Sequence, residues 1–225
     1  MQMTNEAVLG ATTRDRTERS RGFHDAGQAW FFRKMDGYMH RKYGAIKRDL
    51  FGGLPRDVLE IGAGAGANFR YLARGTRVVA LEPNVAFHDH LRAAAAERGL
   101  AVDVREGVAE QVPLPDESVD AVISSLVLCT VESPARALAE VRRVLRPGGR
   151  FWCLEHVAAP QGTLLARLQR AVRGPWSRIF GGCHVHRDIA ELLAEAGFST
   201  VEVTRLTIPT AFLPIRPHVV AVALK

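Results

Sequence analysis

The segment Val58-Leu59-Glu60-Ile61-Gly62-Ala63-Gly64-Ala65-Gly66 constrains this chain more than any other. Asp57 to Ile61 is a short apolar run that ends in glycines, the pattern of a buried strand. Glycines at alternate positions let the backbone turn tightly and come close to a ligand without Cβ clashes. Ala67 to Leu72 then starts a helix, whose first N–H groups lack intrahelical partners. A strand, a glycine turn and a helix in that order open a βαβ unit.

The alternation continues downstream. Thr76 to Leu81 reads as a second strand and Asn84 to Arg98 as a helix, with Phe87, Leu91 and Ala95 four residues apart. Val102 and Val104 mark a third strand and Val119 to Ser124 a fourth. Helix Pro134 to Leu145 presents Leu138, Val141 and Leu145 on one face and stops at Arg146-Pro147-Gly148-Gly149. Phe151 to Leu154 is the fifth strand. A helix from Arg187 to Ala196 and strands near Thr200 to Leu206 and Val219 to Leu224 follow. The link Thr207 to Pro217 holds three prolines and no helical period, which suits a hairpin-like return. The expected fold is α/β and Rossmann-like: a seven-stranded, mostly parallel sheet with helices on both faces and an antiparallel C-terminal edge pair.

The length of 225 residues fits one domain. Residues 1–21 are polar and mixed in charge and read as a flexible leader. A single domain then spans 22–225. Within it a helix over 28–51, patterned by Trp30, Phe31, Met35, Tyr38, Met39 and Tyr43, forms part of a lid. The cofactor half covers 57–156 and acceptor-side elements cover 160–217. No apolar run approaches the ~20 residues of a membrane span, and no secretory signal pattern opens the chain. No membrane anchor is expected, and the expected compartment is the cytoplasm. Nothing in the pattern fixes an oligomeric state.

The formal charge of +6 raises nucleic acid as a partner. The arginines are scattered, however, with no basic stripe interleaved with aromatics, so no nucleic-acid partner is expected. The three cysteines, Cys129, Cys153 and Cys183, are far apart. They form neither a disulfide framework nor a CxxC zinc pair. Cys129 and Cys153 read as small core residues. Cys183, His184 and His186 cluster, but further ligands would be needed, so no metal is expected.

The glycine spacing separates two kinds of nucleotide site. A dinucleotide turn is GxGxxG, with a pyrophosphate on the helix N-terminus. Here the spacing is GxGxG and position 67 is alanine. Glu60, just before the turn, would repel a pyrophosphate but helps hold a cationic, amino-acid-bearing ligand. Glu82 ends the second strand, 16 residues after Gly66. At the carboxyl edge of a parallel sheet it can accept hydrogen bonds from both ribose hydroxyls. S-adenosylmethionine, which carries an ammonium, a sulfonium and a ribose, meets all three requirements.

The motifs VLEIGAGAG, LEPN, GVAEQVPLPDESVD and LAEVRRVLRPGG resemble, in order and spacing, those of class I S-adenosylmethionine-dependent methyltransferases of the type 11 kind. The resemblance implies that Gly62, Gly64 and Gly66 line the methionine part, with Asn68 beside them. It implies that Glu82, followed by Pro83, clasps the ribose. Val108, Ala109 and Glu110 would border the adenine, although many relatives have aspartate where Val108 stands. Ser124 and Leu126 would complete the cofactor contacts, and Tyr43 would close over them. The segments GAGAGANFRYL, EPNVAFHDHL, SSLVLCTVESP, EHVAAP, GGCHVHRD and RPHVVAVALK are similar, more specifically, to the alkyl-thiol methyltransferases of the methyltransferase-like seven group. That likeness runs from about Tyr43 to Lys225.

A methyl acceptor must lie in line with the departing sulfur. A thiol, with a pKa near 8.5, is partly ionised at neutral pH, whereas a hydroxyl needs a positioned base. His156, at the end of the fifth strand, is the candidate catalytic residue. Trp176, Phe180, His184 and Phe212, with Leu213, lie in two irregular stretches and are expected to wall an apolar acceptor pocket. The expected activity is methyl transfer to a small, apolar molecule, at a thiol sulfur or alternatively at O or N of a specialised metabolite. Ser124-Ser125-Leu126-Val127 stands where base-methylating enzymes carry an Asn/Asp-Pro-Pro-aromatic tetrapeptide.

Overall fold

Among the described residues, seven strands build one sheet: β1 (Asp57–Ile61), β2 (Arg77–Leu81), β3 (Ala101–Arg105), β4 (Val119–Ser125), β5 (Leu145–His156), β6 (Thr200–Thr207) and β7 (Pro217–Leu224). The computed structural model describes Gly27, Trp30 and residues 34–225. The leader expected over residues 1–21 and Phe31 lie outside the described residues. Strand order is β3-β2-β1-β4-β5-β7-β6. β1 to β5 run parallel, and β7 is antiparallel to both β5 and β6. The chain leaves β1 toward β2 and β3, then returns to place β4 on the other side of β1. Ligands of open α/β sheets bind at the carboxyl ends of strands where the order reverses in this way.

Residues of alternate strand positions enter two cores. On one face Leu59, Ile61, Val122, Phe151 and Cys153 pack with Ala137, Leu138, Val141 and Val144 of α3 (Pro134–Val144) and Ile189 and Leu193 of α5 (Ile189–Glu195). On the other face Val58, Ala80, Ala121 and Ile123 pack with Phe51, Phe69, Leu91 and Ala95. Phe51 ends α1, helical over 34–51, while Leu91 and Ala95 belong to α2 (His88–Arg98). Glu60 shares the face of Val58 and so points toward α1. Caps hold the ends: Gly99 closes α2 at φ 66°, and Ser133 and Asp188 accept N–H groups at the starts of α3 and α5.

Three expectations are corrected. The helix expected from Ala67 is a single 3-10 turn, Phe69–Tyr71. The Asn68 side chain is drawn into the core there, and Leu72 is already extended toward β2. The fifth strand begins at Leu145 rather than Phe151, because a register shift between Val119 and Ala121 absorbs Arg146 to Gly149 within the β4–β5 pair. The antiparallel C-terminal edge pair stands as expected: β7 and β6 close one edge of the sheet, and the buried Val219, Ala221 and Ala223 fit the place of β7 between β5 and β6. Trp176 is not in a loop but in α4 (Leu164–Ile179), with Phe180 as its C-cap. Thr163 caps this helix, and Pro175, which has no N–H to give to the ladder, lies inside it. Among the described residues, no helix is long and apolar enough to cross a membrane.

Candidate functional site

The glycine turn leaves β1 at the centre of the sheet. Gly62, Gly64 and Gly66 all have positive φ, at 62°, 54° and 77°. At Gly62 a Cβ would lie 2.6 Å from a Val127 methyl, so neither the backbone nor the space admits a side chain. At Gly64 nothing lies within 4 Å of such a Cβ, and the turn presents an open backbone face.

Beneath the turn runs a buried polar chain. The Lys47 ammonium donates to Asn68 Oδ1 at 2.8 Å, and Asn68 Nδ2 donates to Glu60 Oε1 at 2.7 Å. Glu60 Oε2 is buried and has no partner among the described residues. Burial pushes the Glu60 carboxyl up to about 7, against the pull of the Asn68 hydrogen bond and the Lys47 charge. Burial pushes Lys47 down to about 8, opposed mainly by Glu60. A buried carboxylate oxygen without a donor, at the mouth of a strand, suits the ammonium of an amino-acid-bearing ligand.

Glu82 is fixed by backbone. Gly64 N–H donates to its Oε2 at 2.8 Å and Asn84 N–H to its Oε1 at 2.9 Å. Burial raises its pKa, opposed by those two N–H groups. Each oxygen keeps lone-pair capacity for a further donor. The carboxylate of β2 and the glycine turn of β1 are therefore one unit. Pro83 follows on the surface. On the adenine side, Val108 is 47% exposed while Ala109 is buried. Glu110 Oε1 accepts the Ser133 N–H at 3.0 Å, which commits that oxygen to the start of α3.

At the end of β4, Leu126 takes φ 61°, an unusual value for a non-glycine residue. Glu155 of β5 holds this turn: its Oε1 accepts from Ser124 Oγ at 2.8 Å, Val127 N–H at 2.9 Å and Leu128 N–H at 3.1 Å. Its Oε2 and the hydroxyl of Ser125 are buried without partners among the described residues. Burial raises the Glu155 pKa despite those three donors. Arg187 braces the same loop through the Leu128 and Val131 carbonyls. Strain that is held this firmly is a mark of functional loops.

Tyr43 is 1% exposed and packs with Leu154 and Ile208. Its hydroxyl lies 3.1 Å from His218 Nε2, while His218 Nδ1 lies 2.9 Å from the Arg216 carbonyl. A carbonyl only accepts, so His218 carries its proton on Nδ1 and Nε2 accepts from Tyr43. Burial pushes His218 down to about 4, which keeps it neutral, and burial also raises the Tyr43 pKa. Tyr43 thus reaches β7, a partner 175 residues away.

His156 Nε2 lies 3.1 Å from Cys183 Sγ, and its Nδ1 is buried without a partner among the described residues. Trp176 Nε1 donates to the same sulfur at 3.3 Å. The hydrogen bond from Cys129, then those from His156 and Trp176, pull the Cys183 thiol down, and Cys129 is pushed up in return. The ligand atoms of Cys129, His156 and Cys183 all lie within 4.8 Å of one another. Cys183 therefore turns away from the expected grouping with His184 and His186, whose rings are 5.8 Å apart. His184 holds the loop by donating its backbone N–H to the Cys129 carbonyl at 2.8 Å. Cys129 and Cys153 are both buried core residues as expected, Cys129 beside Cys183 and Val185 and Cys153 between the sheet and α3.

Trp176, Phe180 and Phe212 are brought together, but they pack on one another rather than standing apart as walls. Their centroids lie 4.2, 5.7 and 5.4 Å apart, and Leu213 is 49% exposed beside them. Sequence reasoning missed Lys47, Cys129 and His218 as site elements. Lys47 carried one signal, a charge on the apolar face of α1 one turn after Tyr43. A cleft of about 560 Å³ at the amino ends of β1 to β4, lined by Asp57, Arg77, Ala101 and Ser118, lies at the wrong end of the strands for this chemistry.

Residues 59–153 match the family described as "Methyltransferase domain". The thiol S-methyltransferase TMT1B of Homo sapiens is 38% identical over 197 residues, covering 83% of this chain and 81% of that protein. The Homo sapiens thiol S-methyltransferase TMT1A is 36% identical, covering 80% and 78%. The crystal structure of a SAM-dependent methyltransferase from Aquifex aeolicus superposes with a TM-score of 0.59, at 17% identity, covering 87% of this chain and 97% of that one.

Proposed function

The chain belongs to the S-adenosylmethionine-dependent methyltransferases, and from that premise we propose that it methylates small, apolar thiols at sulfur. When bound, S-adenosylmethionine supplies a methyl group on a cationic sulfur, activated toward nucleophiles. Glu60 Oε2 receives the cofactor ammonium, and Lys47 and Asn68 hold Glu60 in place. Glu82, set by Gly64 and Asn84, receives the ribose hydroxyls. Glu155 fixes the Leu126 turn, which closes the site from β4, while Val108 and Ala109 flank the adenine. Helix α1 caps the sheet and delivers Tyr43 and Lys47.

The observation that carries the acceptor reading is that the candidate base His156 is 3% exposed, with its Nε2 engaged by Cys183 and its Nδ1 buried. A hydroxyl acceptor needs a free, positioned base. A thiol does not, because part of it is already thiolate at neutral pH. The names of the relatives agree with this choice. The aromatic group of Trp176, Phe180 and Phe212 supplies the apolar surface for the organic part of the acceptor.

The test is a turnover panel with S-adenosylmethionine against alkyl thiols, phenols and amines, reading S-adenosylhomocysteine and the methylated product by mass spectrometry. Thioethers should form with kcat/KM at least about tenfold above any phenol or amine. Preferential turnover of a phenol or an amine would establish the O- or N-methyltransferase alternative instead.

A further inference from the structure

Three elements far apart in sequence deliver one cluster. Cys129 follows the Leu126 turn, His156 ends β5, and Cys183 lies in the loop after α4. All three side chains are buried, at 2%, 3% and 8% exposure. We propose that Cys129, His156 and Cys183 are the three protein ligands of a zinc ion.

Geometry comes first. Zinc bonds of ~2.3 Å to sulfur and ~2.0 Å to imidazole place tetrahedral ligands about 3.8 Å apart for two sulfurs and about 3.6 Å apart for nitrogen and sulfur. The ligand atoms here lie within 4.8 Å of one another, with His156 Nε2 3.1 Å from Cys183 Sγ. They already enclose a volume of the right scale. The donor set is also selective: two thiolates and an imidazole suit a borderline-soft cation and do not suit magnesium or calcium. Charge fits the burial, since Zn²⁺ with two thiolates and a neutral imidazole has no net charge to desolvate. The Trp176 indole N–H at 3.3 Å from Cys183 Sγ is the outer-shell donor that steadies a metal-bound thiolate. A disulfide between the two cysteines would use neither His156 nor Trp176.

Three protein ligands leave a fourth position, as in catalytic rather than structural zinc sites. Resting on the thiol reading above, the acceptor sulfur takes that position. Coordination forms the Zn–S bond and breaks the S–H bond, the proton passes to solvent, and no electrons change hands. The site then holds its substrate as a thiolate without a general base.

The test uses the purified full chain, reduced and stripped with a chelator. Equilibrium dialysis against Zn²⁺, with metal read by mass spectrometry, should give one zinc per chain. Co²⁺ in its place should show tetrahedral ligand-field bands and near-ultraviolet thiolate charge-transfer absorption. Cys129→Ser, Cys183→Ser and His156→Ala should each weaken zinc binding more than about 100-fold. S-adenosylhomocysteine binding serves as the folding control, and if a variant fails it, the Co²⁺ spectrum of the unmutated protein decides alone. No zinc uptake, an octahedral Co²⁺ spectrum, or a Cys129–Cys183 disulfide in a protein whose reduced form takes up no zinc overturns the proposal. Activity separates the two readings. Thioether formation without zinc uptake overturns the metal site and leaves the thiol reading standing. Zinc uptake without turnover of any thiol does the reverse. Zinc uptake with a rate unchanged by stripping leaves the metal site but removes the acceptor from its fourth position.

Discussion

Replacing Glu60 by Gln isolates the cost of placing a carboxylate under the glycine turn. Glu60 is 1% exposed, and its pKa stands at about 7 against an ordinary 4.5. Between those values the folded protein holds a proton that the unfolded chain has released, so stability falls as pH rises through this window. Each unit of pKa difference is worth about 1.4 kcal/mol. From pH 5 to pH 7, partial titration at both ends reduces the loss to about 2 kcal/mol. Glu60→Gln removes that titration. The new amide group, left where Oε2 has no partner, carries a cost that does not depend on pH and cancels when one pair of proteins is compared at two pH values. Urea unfolding of ligand-free protein at pH 5 and pH 7 should therefore move the mutant up by about 2 kcal/mol relative to the parent. Lys47, held at about 8, stays largely charged in the parent over that range. The same substitution should weaken S-adenosylhomocysteine binding by about 10- to 150-fold, the worth of a charge-assisted hydrogen bond. Parallel stability curves for the two proteins would refute the buried, proton-holding Glu60.

Three further outcomes follow from the geometry. Gly62→Ala should abolish measurable S-adenosylhomocysteine binding in calorimetry, because its Cβ would meet Val127 at 2.6 Å on a backbone at φ 62°. Glu155→Ala should lower stability in urea by about 2–4 kcal/mol, since it strips the acceptor from Ser124, Val127 and Leu128 together. Tyr43→Phe should cost about 1–3 kcal/mol by leaving His218 Nε2 buried without its donor; a loss under about 0.5 kcal/mol would mean the pair contributes nothing.

The parts of the site legible in sequence are those that act through neighbours in the chain. Asp57 to Gly66 needs only a strand and a turn, so β1 and the positive-φ glycines stand where the pattern puts them. Glu82 is legible because a strand end is local, although its bond to the Gly64 N–H is not. The expectation of a helix after Gly66 fails because Asn68 serves a tertiary bond to Glu60 that outweighs helix propensity. Pairings that cross the fold leave little trace. Lys47 with Asn68, Tyr43 with His218 and His156 with Cys183 are set by sheet order, which no local period encodes. Cys129 illustrates the limit: its apolar surroundings predict a core residue, and only the return of the chain after α4 brings Cys183 to it. The irregular stretch expected around Trp176 and Phe180 is instead α4, which carries Trp176 and ends at Phe180.

On the proposed function, the glycine turn, Glu60 and Glu82 form the cradle of S-adenosylmethionine. Isothermal titration of the purified chain with S-adenosylhomocysteine, beside Glu82→Ala, tests it most directly. The parent should bind one equivalent per chain, and the variant should bind at least about 100-fold more weakly, since two ribose hydrogen bonds to a charged group are lost together. Absence of binding by the folded parent, or equal affinity in Glu82→Ala, would contradict the account.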